Sequence, residues 1–146
     1  MIRDVRQEDY QEYLAMSRDF YSGGAALHPV PEENFKETFR RCLAGDPFCR
    51  LLMLEHEGKT AGYALLALTY SNEVGGLCVW VDEVFVKEDY RSCGLGRAFF
   101  AWLRKTYDST AKRYRLEVCA SNQGAARLYA RLGFEPLAYE QMILDI

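Results

Sequence analysis

Two neighbouring carboxylates, Asp82 and Glu83, stand in a run from Trp80 to Val86 whose other residues are β-branched or aromatic. A carboxylate on such a strand, once buried, needs a partner or a function. Alternation along a strand sends the two to opposite faces, so only one of them can face a given ligand. Immediately downstream, Arg91-Ser92-Cys93-Gly94-Leu95-Gly96-Arg97 passes into Leu95, Phe99, Trp102, Leu103 and Thr106 at helical spacing. Strand, glycine turn and helix start in that order make an anion site. The first amides of a helix lack intrahelical acceptors and carry partial positive charge, and Gly94 and Gly96 let a ligand come close to that backbone. The glycines stand three and then two apart, which is not the dinucleotide fingerprint, and the Lys-Ser/Thr pair of a P-loop is missing.

The elements that must position these groups follow from periodicity. Ile2 to Val5 is a short strand, followed by a helix with Tyr10, Tyr13, Leu14, Ser17, Phe20 and Tyr21 on one face that stops at Gly23-Gly24. After a loop, Pro31 suits the first position of a second helix, with Phe35, Phe39, Cys42 and Leu43 on its apolar face. Phe48 to His56 and Thr60 to Tyr70 form a hairpin about Glu57-Gly58-Lys59, with Gly62 as a candidate bulge, and Leu77 to Lys87 extends the meander. The motif helix runs to about Tyr107. Tyr114 to Val118 is then a strand parallel to the one before it, since a helix connects them. Ser121 or Asn122 caps a helix with Ala125, Leu128, Tyr129 and Leu132 on one face and Gly133 after its end, and Tyr139 to Ile146 reads as a last strand.

The 146 residues make one domain, 1–146, with room for a single sizeable core. A net charge of −3 argues against nucleic acid as the main partner, because backbone binding needs a concentrated positive field. No apolar run approaches the length of a membrane span, and Met1-Ile2-Arg3-Asp4 does not open a signal peptide, so the expected location is cytoplasmic. Cys42, Cys49, Cys78, Cys93 and Cys119 lack zinc or disulfide spacing and read mostly as reduced core residues. No metal site is expected. A homodimer is left open.

The segment Arg91-x-x-Gly94-x-Gly96 resembles motif A of the GCN5-related N-acetyltransferase (GNAT) superfamily, whose loop holds the pyrophosphate of acetyl-coenzyme A. Asn122-x-x-Ala125-x-x-Leu128-Tyr129-x-x-x-Gly133-Phe134 matches that family's second pattern at every fixed position, at the expected distance. Glu57 to Ala64 resembles its strand pair with a glycine near the start of the second strand. The resemblance covers nearly the whole chain, with one mild departure: Ser92 stands where many members have glycine. It implies an α/β (α+β) fold, a mixed and mostly antiparallel sheet with helices on both faces. The sheet would open between the strand ending near Lys87 and the one ending near Cys119.

It also implies an N-acetyltransferase that uses acetyl-coenzyme A, without metal, on an amine that attacks directly in a ternary complex. Ser92 to Arg97 would hold the pyrophosphate, Arg91 beginning that turn, and Val84, Phe85 and Val86 would pair with the pantetheine arm. Asn122 would lie beside the arm as well as capping its helix. Tyr129 would protonate the departing thiolate. The stretch Val81 to Arg91 looks like that of diamine acetyltransferases, which favours Asp82 over Glu83 as base or ammonium anchor; release of the proton to water is the alternative. Arg97 and Arg127 are candidates to reach phosphates, Cys119 to lie near the thiol, and His28 and His56 read as surface residues. The acceptor side would include Tyr21, Glu32, Glu33, Tyr70 and Glu73. That content suits a small cationic amine, the alternatives being a protein amino terminus or lysine, or a non-catalytic sensor of acetyl-coenzyme A.

Overall fold

A computed structural model describes residues 1–146. Five strands, β1 (Ile2–Asp4), β2 (Cys49–His56), β3 (Lys59–Ser71), β4 (Gly76–Val86) and β5 (Ala111–Leu116), lie in one sheet in chain order. The first three pairings are antiparallel and β4–β5 is parallel. Helices α1 (Tyr10–Ser22) and α2 (Glu32–Leu43) precede β2, α3 (Leu95–Tyr107) makes the crossover from β4 to β5, and α4 (Gln123–Arg131) follows β5. No helix is long and apolar enough to cross a membrane.

The two-residue period of β2 divides the core into two layers. Leu51 and Met53 join Tyr13, Leu14, Met16, Phe35 and Phe39 of α1 and α2. Leu52 and Leu54 point the other way, onto Leu95, Phe99, Phe100 and Leu103 of α3. Phe99 and Leu103 are fully enclosed, each such burial stabilising by about 1.5–3 kcal/mol. The expected sheet with helices on both faces is therefore present. Buried Asp9 ties β1 to the start of α1. It takes two hydrogen bonds from Arg3, at 2.7 and 2.9 Å, and one from the Arg6 amide at 2.7 Å.

Several expected boundaries move. Pro31 is extended (ψ 140°) and caps α2 from outside instead of starting it. At Gly62 the strand pairing steps from Leu54↔Gly62 to Glu55↔Thr60, leaving Ala61 as the extra residue. A Cβ on Gly62 would meet the Phe85 carbonyl oxygen at 2.1 Å, so that glycine is there for close approach to β4. The tail expected as a strand over Tyr139 to Ile146 is unpaired and exposed, with Met142 at 94% and Leu144 at 88%. Apolar content there is not matched by a neighbouring strand edge, and a strand exists only through its ladder. The cysteines also depart from expectation. Only Cys78 is fully buried, Cys93 and Cys119 are exposed, and Cys42 and Cys49 are half-buried with sulfurs 3.3 Å apart.

Candidate active site

The pairing of β4 changes at Asp82. Leu65 of β3 stands opposite Glu83 and Leu66 opposite Val81, so Asp82 is an extra residue, a β-bulge. Beside it the parallel ladder stops, with Val81↔Leu116 as its last pair. β5 was expected to reach Val118; it begins earlier and ends at Leu116, because a bulge bends and twists its strand and leaves β5 without a partner beyond that point. The β4 edge from Asp82 to Val86 is therefore open on the β5 side, where the sheet was expected to part. Amides along a strand point to alternate edges, and Lys87 N–H is given to Ala61 across β3. Those of Val84 and Val86 consequently face the opening. There the Arg91 guanidinium lies 3.4 Å from the Val86 carbonyl oxygen.

The bulge also overrides simple alternation. Val79 and Val81 face the α3 layer, and so do Val84 and Val86, while Phe85 faces the layer of α1 and α2. Glu83 faces the latter too. It is 7% exposed, with Oε2 accepting from the Tyr63 hydroxyl at 2.6 Å and Oε1 accepting from Tyr21. Burial pushes its carboxyl above the ordinary range; the two phenols act in the opposite direction, and Asp82 adds to the rise. Asp82 is open to solvent, yet enough protein surrounds it that desolvation, followed by repulsion from Glu117, raises its carboxyl as well.

The turn before α3 has the geometry of an anion cradle. Ser92 (φ 67°) and Gly94 (φ 78°) are both left-handed. The amides of Leu95, Gly96 and Arg97, at the start of α3, have no acceptor in the chain. A Cβ on Gly94 would meet nothing within 4 Å, so the approach to these amides is open. Gly96 serves another contact, since a Cβ there would stand 3.1 Å from Leu128 of α4. Arg97 and Arg127 are exposed and unpaired. These features fit a pyrophosphate.

Close packing of α3 and α4 places Tyr129. Its ring meets Phe100 at 5.6 Å and Phe134 at 6.0 Å, edge to face, and its hydroxyl makes no hydrogen bond within the chain. Burial raises its phenol above the ordinary value. Asn122 caps α4 by accepting from the Ala125 amide at 3.2 Å.

The acceptor candidates divide. Glu32, Glu33 and Glu73 are held by Arg18, Lys36 and Arg113 at 3.0, 2.8 and 2.9 Å, and Tyr70 is 73% exposed. Tyr21 alone reaches a β4 carboxylate. A groove of about 390 Å³ lined by Asp19, Ser22, Phe85, Lys87, Glu88 and Arg91 joins the end of α1 to the turn. Cys119 is exposed beyond β5, His28 is exposed in its loop, and His56 lies against Tyr90. Tyr63, which no sequence pattern singles out, joins the candidate site through its hydrogen bond to Glu83. Its place beside Glu83 depends on the β3–β4 register with its bulge, which no local pattern announces.

The Acetyltransferase (GNAT) family profile matches residues 4–134. The chain is 28% identical over 102 residues to a protein described as a putative [ribosomal protein bS18]-alanine N-acetyltransferase of Bacillus subtilis, covering 69% of this chain and 64% of that one. It is 31% identical over 111 residues to the spermine/spermidine N(1)-acetyltransferase of the same organism, covering 70% and 72%. Among solved structures, AAC(6')-Iy in complex with the bisubstrate analog CoA-S-monomethyl-acetylneamine superposes with a TM-score of 0.79 at 14% identity, over 100% of this chain and 97% of that one.

Proposed function

The chain belongs to the acetyltransferase (GNAT) family, and on that premise we propose that it moves an acetyl group from acetyl-coenzyme A to a primary amine of a small cationic molecule. One observation carries the cationic acceptor. Only two carboxylates in the chain are buried, Asp9 and Glu83. Asp9 has Arg3, whereas Glu83 has two neutral phenols and no cation. A buried charge of that kind calls for a counter-charge, and an incoming ammonium group supplies it.

The remaining residues fall into place around that contact. Amides of Leu95, Gly96 and Arg97 hold the pyrophosphate, with Arg97 and Arg127 as free cations beside it. The open edge of β4 receives the pantetheine arm, Asn122 lying beside it, and a Val84 or Val86 amide is a donor for the thioester oxygen. The thioester supplies an acyl carbon that a neutral amine attacks directly. Asp82, more accessible than Glu83, accepts the ammonium proton at the mouth. Tyr129, a neutral phenol through the physiological range, gives its proton to the leaving sulfur.

A second reading, acetylation of a protein amino terminus, is favoured by the resemblance to the ribosomal-protein enzyme. One assay separates the possibilities: release of free thiol from acetyl-coenzyme A against a panel of polyamines, aminoglycosides and amino-terminal peptides. Turnover with a polyamine or aminoglycoside supports the proposal. Turnover with peptides alone supports the second reading, and binding without turnover on any amine would mean a sensor. Under the proposal, Asp82→Asn flattens the alkaline rise in kcat, whereas Glu83→Gln leaves the rise in kcat in place and raises KM for the amine.

A further inference from the structure

Glu83 is held in an unusual way for a buried carboxylate, because each oxygen is occupied by one phenol and neither by a cation. The two phenols differ in their setting. Tyr63 belongs to β3, is completely enclosed and meets the rings of Tyr13 at 5.2 Å and Phe85 at 5.9 Å. Tyr21 lies in the last turn of α1, half-buried, just before Gly23 and Gly24. Its ring is stacked on Phe35 at 5.3 Å and 12° and meets Phe20 edge-on at 4.9 Å. Those contacts fix the ring plane and aim the hydroxyl at β4.

We propose that Tyr21 is a positioning residue of the acceptor site, whose hydroxyl fixes the Glu83 carboxylate in place and preserves its charged form. This rests on the reading that Glu83 meets the acceptor's ammonium group. The groups facing Glu83 are Tyr21 and Tyr13 from α1, Tyr63 from β3 and Asp82 on its own strand. None of them is a cation. Burial and Asp82 both oppose the charge on Glu83, and the two O–H donors are what favour it. Tyr63 is locked in the core for packing reasons as well. Tyr21 is the donor whose hydroxyl can be removed while its stacked ring stays. The consequence for chemistry is a carboxylate whose orientation is set before an ammonium donor binds.

The test is the titration of the Glu83 side-chain carboxyl carbon by NMR, assigned from its disappearance in Glu83→Gln, in the parent, Tyr21→Phe and Tyr63→Phe proteins. Losing one donor to a charged acceptor should move the midpoint up by about one pH unit or more. In steady-state kinetics the acid limb of kcat/KM should move up by the same amount. KM for the amine should rise below the new midpoint, rates should converge with the parent above it, and KM for acetyl-coenzyme A should not change. An unmoved Glu83 midpoint in Tyr21→Phe overturns the proposal, as does a loss of thermal stability with no change in midpoint. A moved midpoint in a protein that acetylates no amine upholds the role of Tyr21 and refutes the proposed activity instead.

Discussion

Replacing Tyr129 with phenylalanine separates proton donation from packing because the structure assigns the hydroxyl no structural duty. The ring's contacts are with Phe100 and Phe134, and the O–H has no partner within the chain. Tyr129→Phe therefore keeps the apolar contacts and abandons no hydrogen bond, so folding stability should stay within about 0.5 kcal/mol of the parent. If the hydroxyl protonates the leaving thiolate, turnover should fall by about 10²- to 10⁴-fold. At about 1.4 kcal/mol per factor of ten, that is about 3–6 kcal/mol of transition-state stabilisation. Acetyl-coenzyme A affinity should persist. Burial raises the phenol above its ordinary value, so the donor stays protonated to a higher pH than free tyrosine. The parent's rate should then decline only on the far alkaline side, and the variant should lack that decline. Thiol release with the best amine, calorimetry with acetyl-coenzyme A and denaturant unfolding on the same preparations give the three numbers. Parent-level turnover in Tyr129→Phe would refute the acid role. Parallel losses of stability, binding and rate would show a packing defect instead.

Three other expectations concern the turn and the buried carboxylate. Ser92 adopts φ 67° without being glycine, so Ser92→Gly should raise stability by about 1 kcal/mol in denaturant unfolding. Gly94→Val forces a β-branched residue to φ 78°, a strain of about 1–2 kcal/mol. If relieved by displacing the free amides of α3, that strain should weaken acetyl-coenzyme A binding about tenfold by calorimetry. For Glu83, a folded-state value raised by burial means that the native protein holds a proton the unfolded chain releases. Its contribution to stability is therefore greatest at low pH and declines as pH rises from about 4.3 through the raised value. Unfolding measured across that range should show a flatter profile for Glu83→Gln.

Much of this protein could be read from local pattern because the relevant physics is local. The turn from Arg91 to Gly96 needs a strand, flexible backbone and a helix start, and all three are adjacent in the chain. The cap at Asn122 and the face carrying Leu128 and Tyr129 follow from spacing within one helix, and the two core layers follow from the alternation of Leu51 to Leu54. What tertiary structure alone decided involves residues far apart in sequence. The β3–β4 register inserts Asp82 as a bulge, opens the β4 edge and turns Glu83 toward α1, against the simple alternation of a regular strand. Partners for Glu83 come from 62 and 20 residues away, through Tyr21 and Tyr63. Gly96 answers to Leu128 of another helix. The tail from Tyr139 shows the same division from the other side: its apolar residues satisfy a local pattern, but a strand requires a neighbouring edge, and only the folded chain determines whether one is there.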